Sequence, residues 1–356
     1  MTITKKGWNQ DLMMSLFTKE DTYDAGVTMS DANACSMQGY EFEPSWPDTV
    51  VTDKDEVTGK EHGYDQELVE KGFEATYKEA KAKPNTLAGL AALVLGSISS
   101  SQDAELTAYK HTITPVTVGT ALPSIHVEHE KGGIQYKYYG VKGGSLTLSG
   151  EAGQPVSLEA TLKGSGTRAT SETEFAASIS ESWLLMQKMK VWLESGANIS
   201  ITAAASRVQD AEDISSATPD NLYPRLKSFT FGWQNNLEGQ PGAGGGGVLQ
   251  DIDYGRRAVE LKTSIIFYDS TELDYFIDQS VVAVEFDLKG ALIAAGGAMY
   301  YGFDLIIPRA KIKAAPLPQG GAGDTLTQEI EYEVFDDGTN KAAEIIVYNA
   351  QAAYMG

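Results

Sequence analysis

The chain has 356 residues, 42% hydrophobic and 22% charged, which is enough apolar sequence to bury a core and too much for a disordered acidic chain. Its formal net charge of −21 repels phosphate backbones, and no segment clusters the Lys and Arg that a DNA-gripping face needs. One cysteine, Cys35, excludes an intramolecular disulfide framework and a cysteine-based zinc cluster.

The first ten residues, MTITKKGWNQ, carry two lysines but no signal-length apolar run, and the longest apolar stretch, Leu87 to Leu95, is too short to span a bilayer. The expectation is a protein made and kept in a cytoplasm, or leaving it by a route other than secretion. Residues 1 to about 60 are polar and turn-rich, with Gly26, Gly39, Pro44, Pro47 and the charged run Asp53–Gly63; they read as an extended arm with short strands. Residues 64–83 fit a charged helix or a strand followed by a helix start. Pro84-Asn85-Thr86 opens a helix over LAGLAALVL, and Gly96 ends it.

From about residue 105 the apolar period becomes two, in ELTAYKHTITPV, SIHVEHE, IQYKYYG, GSLTLSG and PVSLEATLKG, with glycine-rich breaks. In the last of these Val156, Leu158, Ala160 and Leu162 share one face, as a half-buried antiparallel strand requires. Strong helix formers at Ser182–Glu194 suggest a second helix, with a strand in its second half as the alternative. Residues 206–221 are polar with a proline and read as a linker. Strands resume with LKSFTFGW, AVELKTSIIFYD, VVAVEFDLKG, GFDLIIPRAKIKAAP, TQEIEYEVFDD and AEIIVYN, interrupted by a short helix at Thr271–Gln279 whose first turn is acidic. The glycine-rich stretch Gly239–Gly247 reads as a long loop that orders only on a partner.

A helix followed by four strands in each half suggests a weak internal repeat. Its local echoes are Tyr138-Tyr139-Gly140 with Tyr300-Tyr301-Gly302, and PVSLEATLKG with Thr327–Phe335.

Residues that could carry chemistry are sparse. His126 and His129 are three apart on a strand, hence on opposite faces, and cannot share a metal without a bend. With four histidines (His62, His111, His126, His129), one cysteine and no G-x-S-x-G, neither a serine nor a cysteine catalytic site is assembled, and Ser182 has no motif around it. The GAGGGG run lacks the Lys-Ser/Thr of a phosphate-binding loop. Trp46, Trp183, Trp192 and Trp233 read as core or interface. Glu329, Glu331 and Glu333 alternate with Ile330, Tyr332 and Val334, so three acids share one strand face. That is a ladder rather than the two differently tuned acids of a glycosidase, and it is either a solvated face or an acidic wall facing a channel. No catalytic, metal or cofactor site is expected.

The succession LAGLAALVLGSIS, AYKHTITP, YKYYGVKGGSLTLSGEAGQPVSLEATLKGSG, a polar break, YGRRAVELKTSIIFYD and FDLIIPRAKIKAAPLPQGGAGDTLTQEIEYEVFDDGTNKAAEIIVYN resembles the tail tube (major tail) proteins of long-tailed bacteriophages, from about residue 64 to the C-terminus. The resemblance implies a mainly β fold: tail-tube-type β-sandwich modules with flanking short helices and long hairpins that close an intersubunit β-barrel. The organisation implied is an arm at 1–63, a first module at 64–205, a linker at 206–221 and a second module at 222–356. It implies a structural virion protein, not an enzyme, assembled in the host cytoplasm into rings that stack as a tail tube. The ring would be a pseudo-sixfold trimer in preference to a hexamer, meeting other tail proteins at the tube ends, without cofactor or membrane segment, while DNA passes an acidic lumen unbound. Glu329, Glu331 and Glu333 are the candidate lumen-lining acids. The competing readings are a non-enzymatic virion β-sandwich that binds a receptor or carbohydrate, and a carboxylate hydrolase.

Overall fold

The computed structural model describes residues 10–37, 40–52, 66–102, 107–171, 181–195, 220–222, 224–293, 299–318, 323, 325–336 and 341–356. The chain is mainly β. Its N-terminal part holds β1 (Gln10–Met14), β2 (Cys35–Ser36), β3 (Tyr40–Ser45), β4 (Thr49–Thr52), β5 (Gln66–Glu70) and β6 (Phe73–Glu79). Then come α1 (Pro84–Leu95), β7 (Gly96–Gln102), β8 (Tyr109–Pro115), β9 (Ile125–Lys131), β10 (Ile134–Glu151), β11 (Ser157–Gly164) and β12 (Arg168–Ser171). After β13 (Met189–Ser195) and β14 (Asp220–Asn221) follow β15 (Leu226–Gln234), β16 (Leu237–Pro241), β17 (Leu249–Tyr254) and β18 (Ala258–Ile266). The chain ends with α2 (Thr271–Ile277), β19 (Val281–Leu292), β20 (Tyr300–Ala314), β21 (Thr327–Val334) and β22 (Glu344–Asn349).

α1 forms where the sequence predicts it. Pro84 fits the first turn, where its missing N–H costs nothing, and Gly96 ends the helix at φ 93°, its N–H bonding to the Ala92 carbonyl. Every residue of the helix is buried, and it packs against β10, β22, β8 and β7, so it fills the space between sheets. Residues 66–79 take the strand alternative. The helix expected at Ser182–Glu194 does not form and the second half takes the strand alternative: a 3-10 turn at Met186–Lys188 leads into β13, which pairs with β19 from Met189↔Leu288 to Ser195↔Val282. Helix formers are overruled by a partner strand distant in sequence, against which Val191 and Leu193 are buried. Gly239–Gly247 is also corrected: β16 and β17 form an antiparallel pair, and Gly244, Gly246 and Gly247 supply the positive φ its turn needs. The expected linker at 206–221 falls almost wholly outside the described residues, as do 1–9, 38–39 and 53–63 of the 1–63 arm.

The strands form three sheets linked by two long ones. One has the order β3-β6-β11-β10-β15-β18-β21-β20, a second β7-β8-β22-β20-β19-β13-β14, and a third β2-β1-β9-β10-β12. β10 and β20 each belong to two sheets, one through each half of their length. Among the described residues no ladder closes this network on itself, so it is open within the chain. All the sheets contribute to one hydrophobic core, which includes α1, Tyr77, Leu146, Phe231, Phe286 and Ile345.

The order of pairing recurs. β3 pairs β6, β6 pairs β11 and β11 pairs β10, which runs on between β9 and β12. β15 pairs β18, β18 pairs β21 and β21 pairs β20, which runs on between β19 and β22. A separate two-stranded pair, β4–β5 or β16–β17, stands between the first two strands of each set, and a helix follows the second strand.

The irregularities coincide too. β10 carries one extra residue against β9 between Tyr138 and Val141, opposite Val127 and Ile125, and β20 carries one against β19 between Ile307 and Ala310, opposite Val284 and Val282. A second bulge lies between Gly143 and Ser145 opposite Leu162 and Thr161, and its counterpart between Ile312 and Ala314 opposite Tyr332 and Glu331. This register matches Tyr138 to Ile307, so the Tyr-Tyr-Gly echo in the sequence joins non-equivalent positions. The other echo falls on β11 and β21, which hold the same place in the order.

Candidate functional site

The eight-stranded sheet has one face on the core and one turned outward. The inward face takes Leu146 and Leu148 from β10, Phe229, Phe231 and Trp233 from β15, Leu158, Ala160 and Leu162 from β11, and Ile330 and Tyr332 from β21, all buried. Each Leu, Ile and Phe among them stabilises the fold by roughly 1.5–3 kcal/mol on removal from water. Strand alternation then fixes what faces outward.

Cross-strand neighbours make this outward face a set of rows. One runs Glu331, Lys262, Thr230, Ser149, Ser157, and the next Glu260, Gly232, Thr147, Glu159, Lys78, Glu41. A third runs Ala258, Gln234, Ser145, Thr161, Thr76, Glu43. The middle is hydroxyl-rich: Ser145 and Thr161 share a hydrogen bond of 2.8 Å, and Ser149 and Ser157 one of 2.7 Å. The flanks are acidic. Glu41, Glu43, Glu74, Glu151, Glu159, Glu260, Glu329, Glu331 and Glu333 stand on this face against Lys78, Lys163, Lys262 and Lys311, so its balance is negative.

Glu329, Glu331 and Glu333 therefore do share one face, at one end of the sheet, with Ile330 and Tyr332 buried behind them. Lys262 holds Glu260 at 2.6 Å and Glu331 at 3.4 Å, and these two acids raise its pKa above the usual lysine value. Lys163 stands 3.8 Å from Glu74 and Lys78 3.8 Å from Glu159. These exposed pairs contribute little to stability and leave the field of the face negative. Sequence reading found the acids of β21 but not the rows that extend them. The Ser/Thr/Glu alternation of β3, β6, β15 and β18 was its signal, and only pairing brings these strands together.

The histidines are structural. His126 donates through Nδ1–H to the Val27 carbonyl at 2.8 Å and stacks on Tyr139, while His129 on the other face meets the Phe42 ring edge-on. Burial pushes the pKa of His129, and of His111 between Ser100 and Asn349, down to about 4. His62 lies outside the described residues. Among the described residues no group of three His, Cys, Asp or Glu side chains gathers as metal ligands, and no helix is long and apolar enough to cross a membrane. Trp192 and Trp233 are buried, and the Trp233 indole donates to Asn235. Trp46 and Trp183 are about half exposed, with Arg168 lying over the first and Lys81 over the second.

The family model described as "Phage tail tube protein" matches residues 38–334. No curated protein matches the chain significantly. Among solved structures, one described as "Crystal structure of Hcp protein" matches with 10% identity over 44% of this chain and 96% of its own, at a TM-score of 0.23.

Proposed function

The chain belongs to the phage tail tube protein family, and we propose that it polymerises as stacked rings into a tube whose lumen is lined by the outward face of the eight-stranded sheet. That family is one of structural components of the virion tail and not of enzymes. The observation that carries the proposal is the doubled sheet. Two four-stranded sets with the same order and the same bulges lie edge to edge, joined by β10 and β15 from Ser145↔Gln234 to Glu151↔Ser228. On this reading the chain is two tandem modules, the first beginning with β3 and ending with β12, the second running from β15 to β22.

The internal junction supplies the template for the external one. β15 opens the second set as β3 opens the first, and β3 has no strand on its side away from β6 among the described residues. β20, the counterpart of β10, has no strand beyond Lys311 on its side away from β21 among the described residues. The end of β20 and the chain just past Ala314, the counterpart of β10 from Ser145 onward, then pair with β3 of the next copy, and three chains close a ring with pseudo-sixfold symmetry.

Glu329, Glu331 and Glu333 turn to the lumen in this arrangement with the other acids of the face. A wall so charged repels phosphates and lets the genome pass into the host without holding it. Rings assemble in the host cytoplasm and meet other tail proteins at the tube ends.

Averaged cross-sections of assembled tubes test this reading. Threefold symmetry with two superposable sandwiches per chain is expected; sixfold symmetry with six chains per ring refutes the tandem arrangement. A monomer that persists at high concentration in light scattering refutes assembly itself.

A further inference from the structure

The strand pairs β4–β5 and β16–β17 hold the same place in the two halves but have opposite surroundings. β16–β17 is seated on the first half of its own chain. Leu249 and Ile252 are 3% and 1% exposed, and the Leu249 N–H donates to the Ser165 carbonyl at 2.9 Å. Lys142 Nζ reaches Asp251 Oδ1 at 2.6 Å and donates to the Ile252 carbonyl at 2.8 Å. Among the described residues β4–β5 has no comparable seat, although just after it the Lys71 N–H donates to the Gly247 carbonyl at 2.7 Å. Val50 and Leu68, opposite each other on one face, are 48% and 42% exposed, and Val51 and Val69 are 57% and 47% exposed, so the apolar side chains of this short pair meet water.

The second half carries the counterpart of the seat, and the pairing register locates it. Lys142 pairs with Lys163 one step before the Gly143/Ser145 bulge, and Lys311 pairs with Glu333 one step before the Ile312/Ala314 bulge. Ser165 follows β11 and its N–H returns to the Tyr139 carbonyl at 3.2 Å; Phe335 follows β21 and its N–H returns to the Arg309 carbonyl at 3.0 Å. Phe335 is 37% exposed, so an apolar ring waits where the first half is covered by Leu249.

We propose that the β4–β5 pair of one copy seats on the second half of the next copy at Lys311 and Phe335, as β16–β17 seats on Lys142 and Ser165 within the chain. The occupant is a second copy of this chain, and the inference rests on the tandem, ring-forming reading above. Val50 and Leu68, cross-strand partners on one face of the pair, cover the Phe335 ring, and β5 offers Glu67, next to Leu68, to Lys311 as β17 offers Asp251, next to Ile252, to Lys142. The contact is head to tail, since the seat and the pair that fills it lie in different halves.

Two measurements test it on the full chain. In the first, Val50→Asp with Leu68→Asp is compared with wild type and with Val118→Asp, an 88% exposed site outside the β4–β5 pair. The double variant should keep its circular dichroism and require about tenfold or more higher concentration to assemble, while the control assembles like wild type. In the second, Leu68→Cys and Phe335→Cys variants are oxidised separately and mixed; Cys35 is buried and stays in both. A disulfide-linked dimer should appear only on mixing. Wild type that assembles alongside an equally competent double variant, or Leu68→Cys that cross-links to itself, overturns the inference and leaves the tube reading standing. Wild type that never assembles overturns both.

Discussion

Glu79 lies under the N-terminus of α1 with no exposed side-chain surface, 3.9 Å from Lys83 Nζ, and accepts a hydrogen bond from the Tyr77 hydroxyl at 3.1 Å. Burial, opposed by Lys83 and Tyr77, pushes its pKa from 4.5 up to about 7; burial does the same to Glu181, which accepts the Asn85 N–H at 2.7 Å. A carboxyl that holds its proton more tightly folded than unfolded favours the native state at low pH. Its contribution is full below 4.5, falls as pH rises from 4.5 to about 7, and is flat above. That span is worth at most about 3 kcal/mol for Glu79, and the two carboxyls share Lys83, so their effects do not simply add. Glu79→Gln removes the titration and keeps the shape. It should stabilise the fold by about 1–3 kcal/mol at pH 8 and change it by less than about 1 kcal/mol at pH 5. Urea denaturation below the assembly concentration reads this as variant minus wild type, which cancels the other acids. A variant equally destabilised at both pH values would refute the reasoning, because it would mean that Glu79 is ionised and well paired with Lys83 throughout.

Three further outcomes follow from the geometry. Replacing Glu329, Glu331 and Glu333 with Lys leaves Ile330 and Tyr332 untouched, so the fold should persist while tubes gain DNA binding that weakens with salt; density maps showing these side chains outside the tube would contradict their lumen assignment. Asn235 is fully buried, donates to the Val94 and Gly143 carbonyls at 2.7 and 2.9 Å and accepts the Trp233 indole at 2.9 Å. Asn235→Ala strands all three groups and should cost about 2–4 kcal/mol in chemical denaturation, whereas an unchanged midpoint would mean water replaces the side chain. A Cβ on Gly143 would sit 2.5 Å from Val94 Cγ2 and 2.9 Å from Val94 Cα, so Gly143→Ala must push α1 off β10; a loss of about 1–3 kcal/mol is expected, and an unaltered thermal midpoint would argue against that close approach.

What could be read from the sequence is what is local. α1 announced itself by an apolar run between Pro84 and Gly96, and β11 and β21 by strict alternation. β13 was obscured because Trp183 to Glu194 are good helix formers and its partner, β19, lies far along the chain. The glycine run at 242–247 masked a turn as a loop. The repeat is written in bulges and pairing order rather than identity, which is why a Tyr-Tyr-Gly coincidence pointed to the wrong register. The acidic face was legible on β21 alone, since each other strand contributes only two to four outward residues and the chain order of those strands is not their spatial order.

The joining of β10 to β15 within one polypeptide also bears on what happens before assembly. Two separate four-stranded sets would expose four sheet edges, each a template for indiscriminate strand addition. Fusing them hides two of those edges during folding, at a local concentration set by the tether rather than by expression level. A newly made chain therefore carries half the adhesive edge per four-stranded set, and the two edges of this sheet that remain, on β3 and β20, are short.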